Sequence, residues 1–150
     1  MKLRLLCVGK LKKGPEQALC ERYLKRLPYR PDVVVLPDAP GKGDARRNRE
    51  SADVLAKVRA SDRLIALDEG GEALTSLAFA ELLSEAQRSA ETLCFVIGGA
   101  YGLSQALRAR ADRVLSLGAV TWPHALVRAL LFEQLYRAHC LSSGHPYHKA

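Results

Sequence analysis

Leu93-Cys94-Phe95-Val96-Ile97-Gly98-Gly99-Ala100-Tyr101-Gly102-Leu103-Ser104 decides how the chain folds. Five apolar residues in succession, too few for a helix and closed by glycine, read as a strand buried on both faces. Three glycines in five positions then let the backbone turn tightly and approach a ligand. Ser104 follows as an N-cap for a short helix to about Ala111. The same unit, an apolar run ending in a turn and then a helix, recurs along the chain. Residues 2–8 form a strand ending at Gly9, and a helix spans 15–27 behind Pro15-Glu16. Val33 to Leu36 is a short buried strand between two prolines, and 45–60 is a polar helix that exposes Arg46, Arg47, Arg49, Lys57 and Arg59. Arg63 to Leu67 is a strand closed by the turn Asp68-Glu69-Gly70-Gly71, followed by an amphipathic helix over 76–90. Val114 to Leu117 is the fifth strand, and Pro123 opens a long last helix to about Cys140, capped at Thr121 or Trp122. Five alternations with continuous apolar strands predict an α/β fold: a mostly parallel sheet with helices on both faces, in a single domain of residues 1–150. Ligands of such sheets bind at the carboxyl ends of the strands, which selects the loops after Leu67, Ile97 and Leu117.

Composition excludes several classes. A hydrophobic fraction of 48% and a charged fraction of 26% belong to a globular domain, not a disordered one. No apolar stretch approaches the roughly 18–20 residues that cross a bilayer, and the N-terminus lacks an export-type apolar segment, so no membrane association and a cytoplasmic location are expected. Cys7, Cys20, Cys94 and Cys140 form no C-x-x-C pair, and no His or acidic cluster has ligand spacing, so no metal is expected. The net charge is +7, distributed as +7 over residues 1–50, −4 over 51–100 and +4 over 101–150. Basic ends around an acidic middle suit a polyanion partner.

The glycine loop is neither a P-loop nor a dinucleotide fingerprint, because no G-K-[ST] and no G-x-G-x-x-G are present. The loop Leu117-Gly118-Ala119-Val120-Thr121-Trp122-Pro123-His124 is almost wholly apolar, as if packed on a purine ring, a second subunit or the core. On the last helix Val127, Ala129, Leu131, Phe132, Leu135, Tyr136 and Ala138 cover an arc of roughly 200° at about 100° per residue, with Arg128 in its middle. So broad a face suggests a subunit interface, and an arginine there needs an anionic or carbonyl partner. The tail His145-Pro146-Tyr147-His148-Lys149 gathers two imidazoles, a phenol and an ammonium, groups that stack on bases, contact phosphate and accept protons.

These residues carry a resemblance. Gly98-Gly99-x-x-Gly102-Leu103-Ser104, Leu115-Ser116 with Thr121-x-Pro123-His124-x-Leu126-Val127-Arg128, Glu133-Gln134-Leu135-Tyr136-Arg137-Ala138 and His145-Pro146-Tyr147-His148-Lys149 resemble the RlmH family. These are bacterial 23S ribosomal RNA pseudouridine N3-methyltransferases of the SPOUT class. The resemblance, which spans the whole chain, implies a trefoil-knotted methyltransferase fold, a homodimer, S-adenosyl-L-methionine as methyl donor and 23S rRNA within the ribosome as substrate. It implies cofactor contacts at Leu67, Gly99, Gly118, Ala119, Val120, Thr121, Trp122 and Pro123. Tyr147 and His148 become the candidate catalytic residues, and Arg128 and Lys149 the candidate RNA contacts. Tyr101 departs from the pattern, since Ala100-Tyr101 stands where some members have Pro-Glu. A non-catalytic RNA-binding or ribosome assembly factor would also explain the basic ends, but it needs no such set of strand-end loops.

Overall fold

A computed structural model describes residues 1–149. Five strands, β1 (Lys2–Val8), β2 (Asp32–Leu36), β3 (Asp62–Ala73), β4 (Thr92–Ile97) and β5 (Arg113–Ser116), form one sheet in the order β2-β1-β4-β3-β5, and every pairing is parallel. The helices are α1 (Pro15–Arg26), α2 (Gly43–Leu55), α3 (Ser76–Arg88), α4 (Gln105–Arg110) and α5 (His124–Ser143). β4 occupies the centre, as its unbroken apolar run requires. Because strand side chains alternate, Leu93, Phe95 and Ile97 face one hydrophobic core while Cys94 and Val96 face another. The first core is closed by α1, α3 and α5, with Phe79, Leu83, Phe132 and Leu135 among its residues. The second lies under α2 and α4, around Val54 and Leu107. Chain leaving β1 and β3 thus turns to one face, and chain leaving β4, between them, turns to the other. That divergence opens a crevice at the strand ends.

Several expectations need correction. The apolar run Val33 to Leu36 is an edge strand, not a buried one: Val33 is 37% and Val35 44% exposed. The polar helix ends at Leu55, not near residue 60, and Arg46 and Arg47 are half-buried because they turn toward acidic partners. The last helix continues to Ser143 and is closed by Gly144 at φ 74°, a left-handed cap glycine adopts freely. Pro123 itself is its cap residue, with no side-chain cap bond from Thr121 or Trp122. The broad apolar arc of that helix is buried within the chain, because α5 packs between α1 and α3 against the sheet; Ser76 Oγ donates to Gln134 Oε1 (2.8 Å) across the α3 side.

The third strand does not end at Leu67. Leu67 and Glu72 both pair with Leu115, so Asp68-Glu69-Gly70-Gly71 is extruded as a bulge from a strand that resumes beyond it. Asp68 Oδ2 accepts the Gly70 N–H (3.0 Å), an Asx turn. Gly71 lies against the β5 backbone: a Cβ there would stand 2.7 Å from the Val114 carbonyl and 2.8 Å from the Leu115 carbon. Gly71→Ala should therefore force β3 and β5 apart and destabilise the protein by about 1–3 kcal/mol, the usual range for overpacking, read as a lower midpoint in urea unfolding.

Candidate active site

The β4–α4 turn is fixed by three backbone constraints. Gly98 abuts Gly102, whose carbonyl oxygen would be 2.8 Å from any Cβ at position 98. Gly102 N–H donates to the Gly99 carbonyl (3.0 Å), with Gly102 at φ 75°, so Ala100 and Tyr101 form the tip of a tight turn. Ser104 accepts the Leu107 N–H at the start of α4, and its own N–H donates to Ser51 Oγ of α2 (2.9 Å). The loop after β5 is pinned at its start, where Ser116 Oγ donates to the Gly118 carbonyl (2.6 Å) and accepts its N–H (3.1 Å). Beyond that pin Val120 is 61% and Trp122 40% exposed, so Trp122 does not plug the core.

These two loops and the Leu67–Glu69 end of β3 enclose a cavity of about 360 Å³, within the ~300–1,000 Å³ of small-molecule sites. Its walls differ. Leu67, Ile97, Leu117, Val120, Trp122 and Val127 make an apolar lining suited to a purine or a thioether chain. Asp68 and Glu69 place carboxylates on the β3 side, where Glu69 accepts from Thr121 Oγ1. Arg47 of α2, Arg108 of α4 and Tyr101 at the turn tip also line the cavity, and Arg108 Nη1 lies 3.6 Å from Asp68 Oδ2. Sequence reasoning did not find Asp68, Glu69, Arg47 or Arg108. The two carboxylates look like turn residues, and nothing local signals that α2 and α4 meet here.

Of the residues singled out from sequence, Leu67, Gly99, Gly118, Val120, Thr121 and Trp122 come together around this cavity; Ala119 and Pro123 lie on the same loop but do not line it. Arg128 is buried on the inner side of α5, 3% exposed, and donates from Nη2 to the Gly9 carbonyl (2.7 Å); its Nε has no partner. The tail is elsewhere. It folds back along the middle of α5, against Glu133, Tyr136 and Arg137, about 14–20 Å along the helix from His124 at the cavity at ~1.5 Å per residue. It is ordered by contacts: the Tyr147 ring packs edge-on to Tyr136 with centroids 4.7 Å apart, and the Arg137 guanidinium covers it at 4.9 Å. Tyr147 OH donates to Glu133 Oε1 (3.0 Å), which also pairs with Arg137. Arg137 Nη1 lies 3.2 Å from His148 Nδ1, and since a guanidinium only donates, that nitrogen is the acceptor. Lys149 is exposed.

Comparison with known proteins identifies the architecture. A family model described as "Predicted SPOUT methyltransferase" matches residues 1–148. The chain belongs to the SPOUT methyltransferases. A relative named "Ribosomal RNA large subunit methyltransferase H" from Acidiphilium cryptum is 50% identical over 149 residues, 99% of this chain and 94% of that one. Another of the same name, from Gluconacetobacter diazotrophicus, is 45% identical over 148 residues, 99% of this chain and 97% of that one. Among solved structures, "Probable Methyltransferase from Bordetella pertussis Tohama I" superposes with a TM-score of 0.59 at 18% identity, covering 91% of this chain and 95% of that one; likeness at that level speaks for the fold alone.

The methyl donor of this SPOUT methyltransferase is S-adenosyl-L-methionine, and the cavity fits it. The apolar wall would suit adenine, the glycine-turn backbone would offer hydrogen-bonding groups at close range, and the carboxylates of Asp68 and Glu69 would suit a ligand carrying a sulfonium and an ammonium. Among the described residues no helix is long and apolar enough to cross a membrane, and no group of three or more His, Cys, Asp or Glu is arranged to hold a metal.

Burial raises the Tyr147 hydroxyl above the usual tyrosine range, and the hydrogen bonds to Tyr23 and Glu133 add to this. A proton held more tightly in the folded state contributes stability that is complete below the unfolded value of about 10 and is lost as pH rises past it. Wild-type stability should therefore fall more steeply above about pH 10 than that of Tyr147→Phe, measured by denaturant unfolding across that range.

Proposed function

We propose that this SPOUT methyltransferase methylates N3 of a pseudouridine in 23S rRNA of the large ribosomal subunit, acting on the assembled ribosome in the cytoplasm as a homodimer. The relatives' names and their end-to-end match to this chain support the RNA substrate. One observation carries the dimer. Tyr147 and His148 are held on Glu133, Tyr136 and Arg137, about 14–20 Å along α5 from His124 at ~1.5 Å per residue, and do not line the cavity of their own chain. A tail held there by its own chain leaves that chain's cavity uncovered and is presented to the cavity of a second copy, and two-fold symmetry makes the exchange reciprocal.

The reaction joins the methyl carbon to N3, breaks its bond to sulfur and releases the N3 proton. S-adenosyl-L-methionine, when bound, supplies a methyl already activated by the sulfonium. The chain's own task is to align the base with it and to remove the proton. The apolar wall and glycine turn hold the donor side, and Asp68 and Glu69 balance its positive charge. Tyr147 keeps its proton and donates to Glu133, so its part is positioning the tail. His148 is the proton acceptor: its Nδ1 lone pair faces Arg137, a contact exchanged for the substrate imide when the tail covers a partner's cavity. Lys149 meets a phosphate.

Labelled methyl transfer to 70S ribosomes lacking the modification, with naked 23S rRNA alongside and the product mapped by mass spectrometry, tests substrate and position. Label at pseudouridine N3 in ribosomes is expected; label elsewhere moves the substrate. His148→Ala should lower the single-turnover rate by about 100-fold, the low end for general base catalysis, with cofactor affinity unchanged. Complementation tests the dimer. A chain ending at Gly144 and a full-length Gly99→Val chain, each inactive alone, should recover about a quarter of wild-type activity when co-expressed, because half of the dimers are mixed and each carries one intact site. No recovery places the tail and the cavity in the same chain's reaction.

A further inference from the structure

The cavity mouth carries an aromatic ring that neither the donor side nor the tail employs. Tyr101 stands at the tip of the Gly99–Gly102 turn, 41% exposed. Its ring is held. The Arg46 guanidinium lies 5.2 Å from the ring centroid and covers one face. Arg46 is itself fixed from below, with Nε donating to Glu50 Oε2 (3.2 Å) and Nη2 lying 3.3 Å from Asp38 Oδ1. Glu50 is 2% exposed, and the same oxygen accepts the Ala39 N–H (3.0 Å). A buried carboxylate thus anchors an arginine, and the arginine anchors a ring at the cavity mouth. Exposed tyrosines without a ligand need no such support. A ring that is held on one face and exposed at a cavity mouth is what stacking on a planar base demands.

Two planar groups come to this cavity, adenine of the donor and the target base of the RNA, and charge separates them. The ring is backed by Arg46 and accompanied at the cavity by Arg47, whose ion-pair partner Asp44 is solvent-exposed, and by Arg108, which pairs with Asp68. A sulfonium ligand is repelled by Arg46 and Arg47 and is drawn instead to the carboxylates of Asp68 and Glu69, where Arg108 is already paired. An RNA strand brings phosphates to the arginines beside the base it stacks. We propose that Tyr101, clamped by Arg46 and Glu50, is the stacking platform for the target base of the RNA, with Arg47 contacting a flanking phosphate. This rests on the rRNA methyltransferase reading above. It also gives a use to the residue that replaces the acidic group of the resembling family.

The test compares Tyr101→Leu, Tyr101→Phe and Arg46→Leu with wild type in three measurements: binding to 70S ribosomes lacking the modification by co-sedimentation, binding of S-adenosyl-L-methionine by calorimetry, and methyl transfer to the same ribosomes. Circular dichroism and thermal unfolding check that each variant is folded. Tyr101→Leu should weaken ribosome binding and raise the ribosome KM about tenfold, as losing one stacked base does, with donor affinity unchanged. Tyr101→Phe should remain near wild type, and Arg46→Leu should cost about threefold as a cation–π contact is lost. A tenfold loss in donor affinity instead would assign the ring to adenine and overturn the proposal. So would ribosome binding by Tyr101→Leu equal to wild type while wild type labels the ribosome. Wild type that binds ribosomes without labelling them, with binding weakened in Tyr101→Leu, would keep the platform and overturn the reaction assigned to it.

Discussion

The structure depends on how β4 is buried. A central parallel strand with neighbours on both sides and helices over both faces has no exposed surface, so Leu93 to Ile97 must be apolar throughout, and Phe95 is 0% exposed. The chain emerging from it has only one way out. Its neighbours β1 and β3 send their helices to one face, so the Gly98–Gly102 turn carries the chain to the other, and the separation of those paths is the cavity. The glycines serve this exit first. Gly98 is crowded by Gly102, and a Cβ on Gly99 would come within 3.2 Å of the Glu50 carboxylate. Ligand binding uses a turn that packing had already made compulsory.

The strand-end loops were legible in the sequence because they are written in local chemistry. Apolar runs, glycine turns and the cap at Ser104 placed all five strands and five helices in order, and six of the eight loop positions taken from the family resemblance line one cavity. What was not legible is non-local. The three valines of β2 read as buried because residue type does not reveal that a strand lies at a sheet edge. Arg46 and Arg47 read as solvated because the partners that hold them, Asp38 and Glu50 for one and Asp44 for the other, become neighbours only through the turn of α2. The same blindness affected α5. Its apolar arc is real, but two helices of the same chain cover it before any second subunit is needed.

Arg128 shows how one buried charge is accommodated. Its guanidinium donates to the Gly9 carbonyl at the end of β1, which ties the first turn of the long helix to the carboxyl edge of the sheet. Burying an arginine is costly, and a carbonyl is a weak counterpart for it. The result is a fixed angle of approach for α5, which sets where the Leu117–Pro123 loop ends and, about two turns further along the helix, where Glu133, Tyr136 and Arg137 hold the tail.

The bulge in β3 has an evolutionary consequence. Because Leu67 and Glu72 both register on Leu115, the strand is stitched to its neighbour on either side of the extruded segment. Residues could be gained or lost between the two stitches without shifting any side chain from one face of the sheet to the other, the usual penalty of a length change in a strand. The rim that presents Asp68 and Glu69 is thus a free parameter of the scaffold. Descendants could lengthen, shorten or recharge it to suit a different ligand while inheriting the core unchanged.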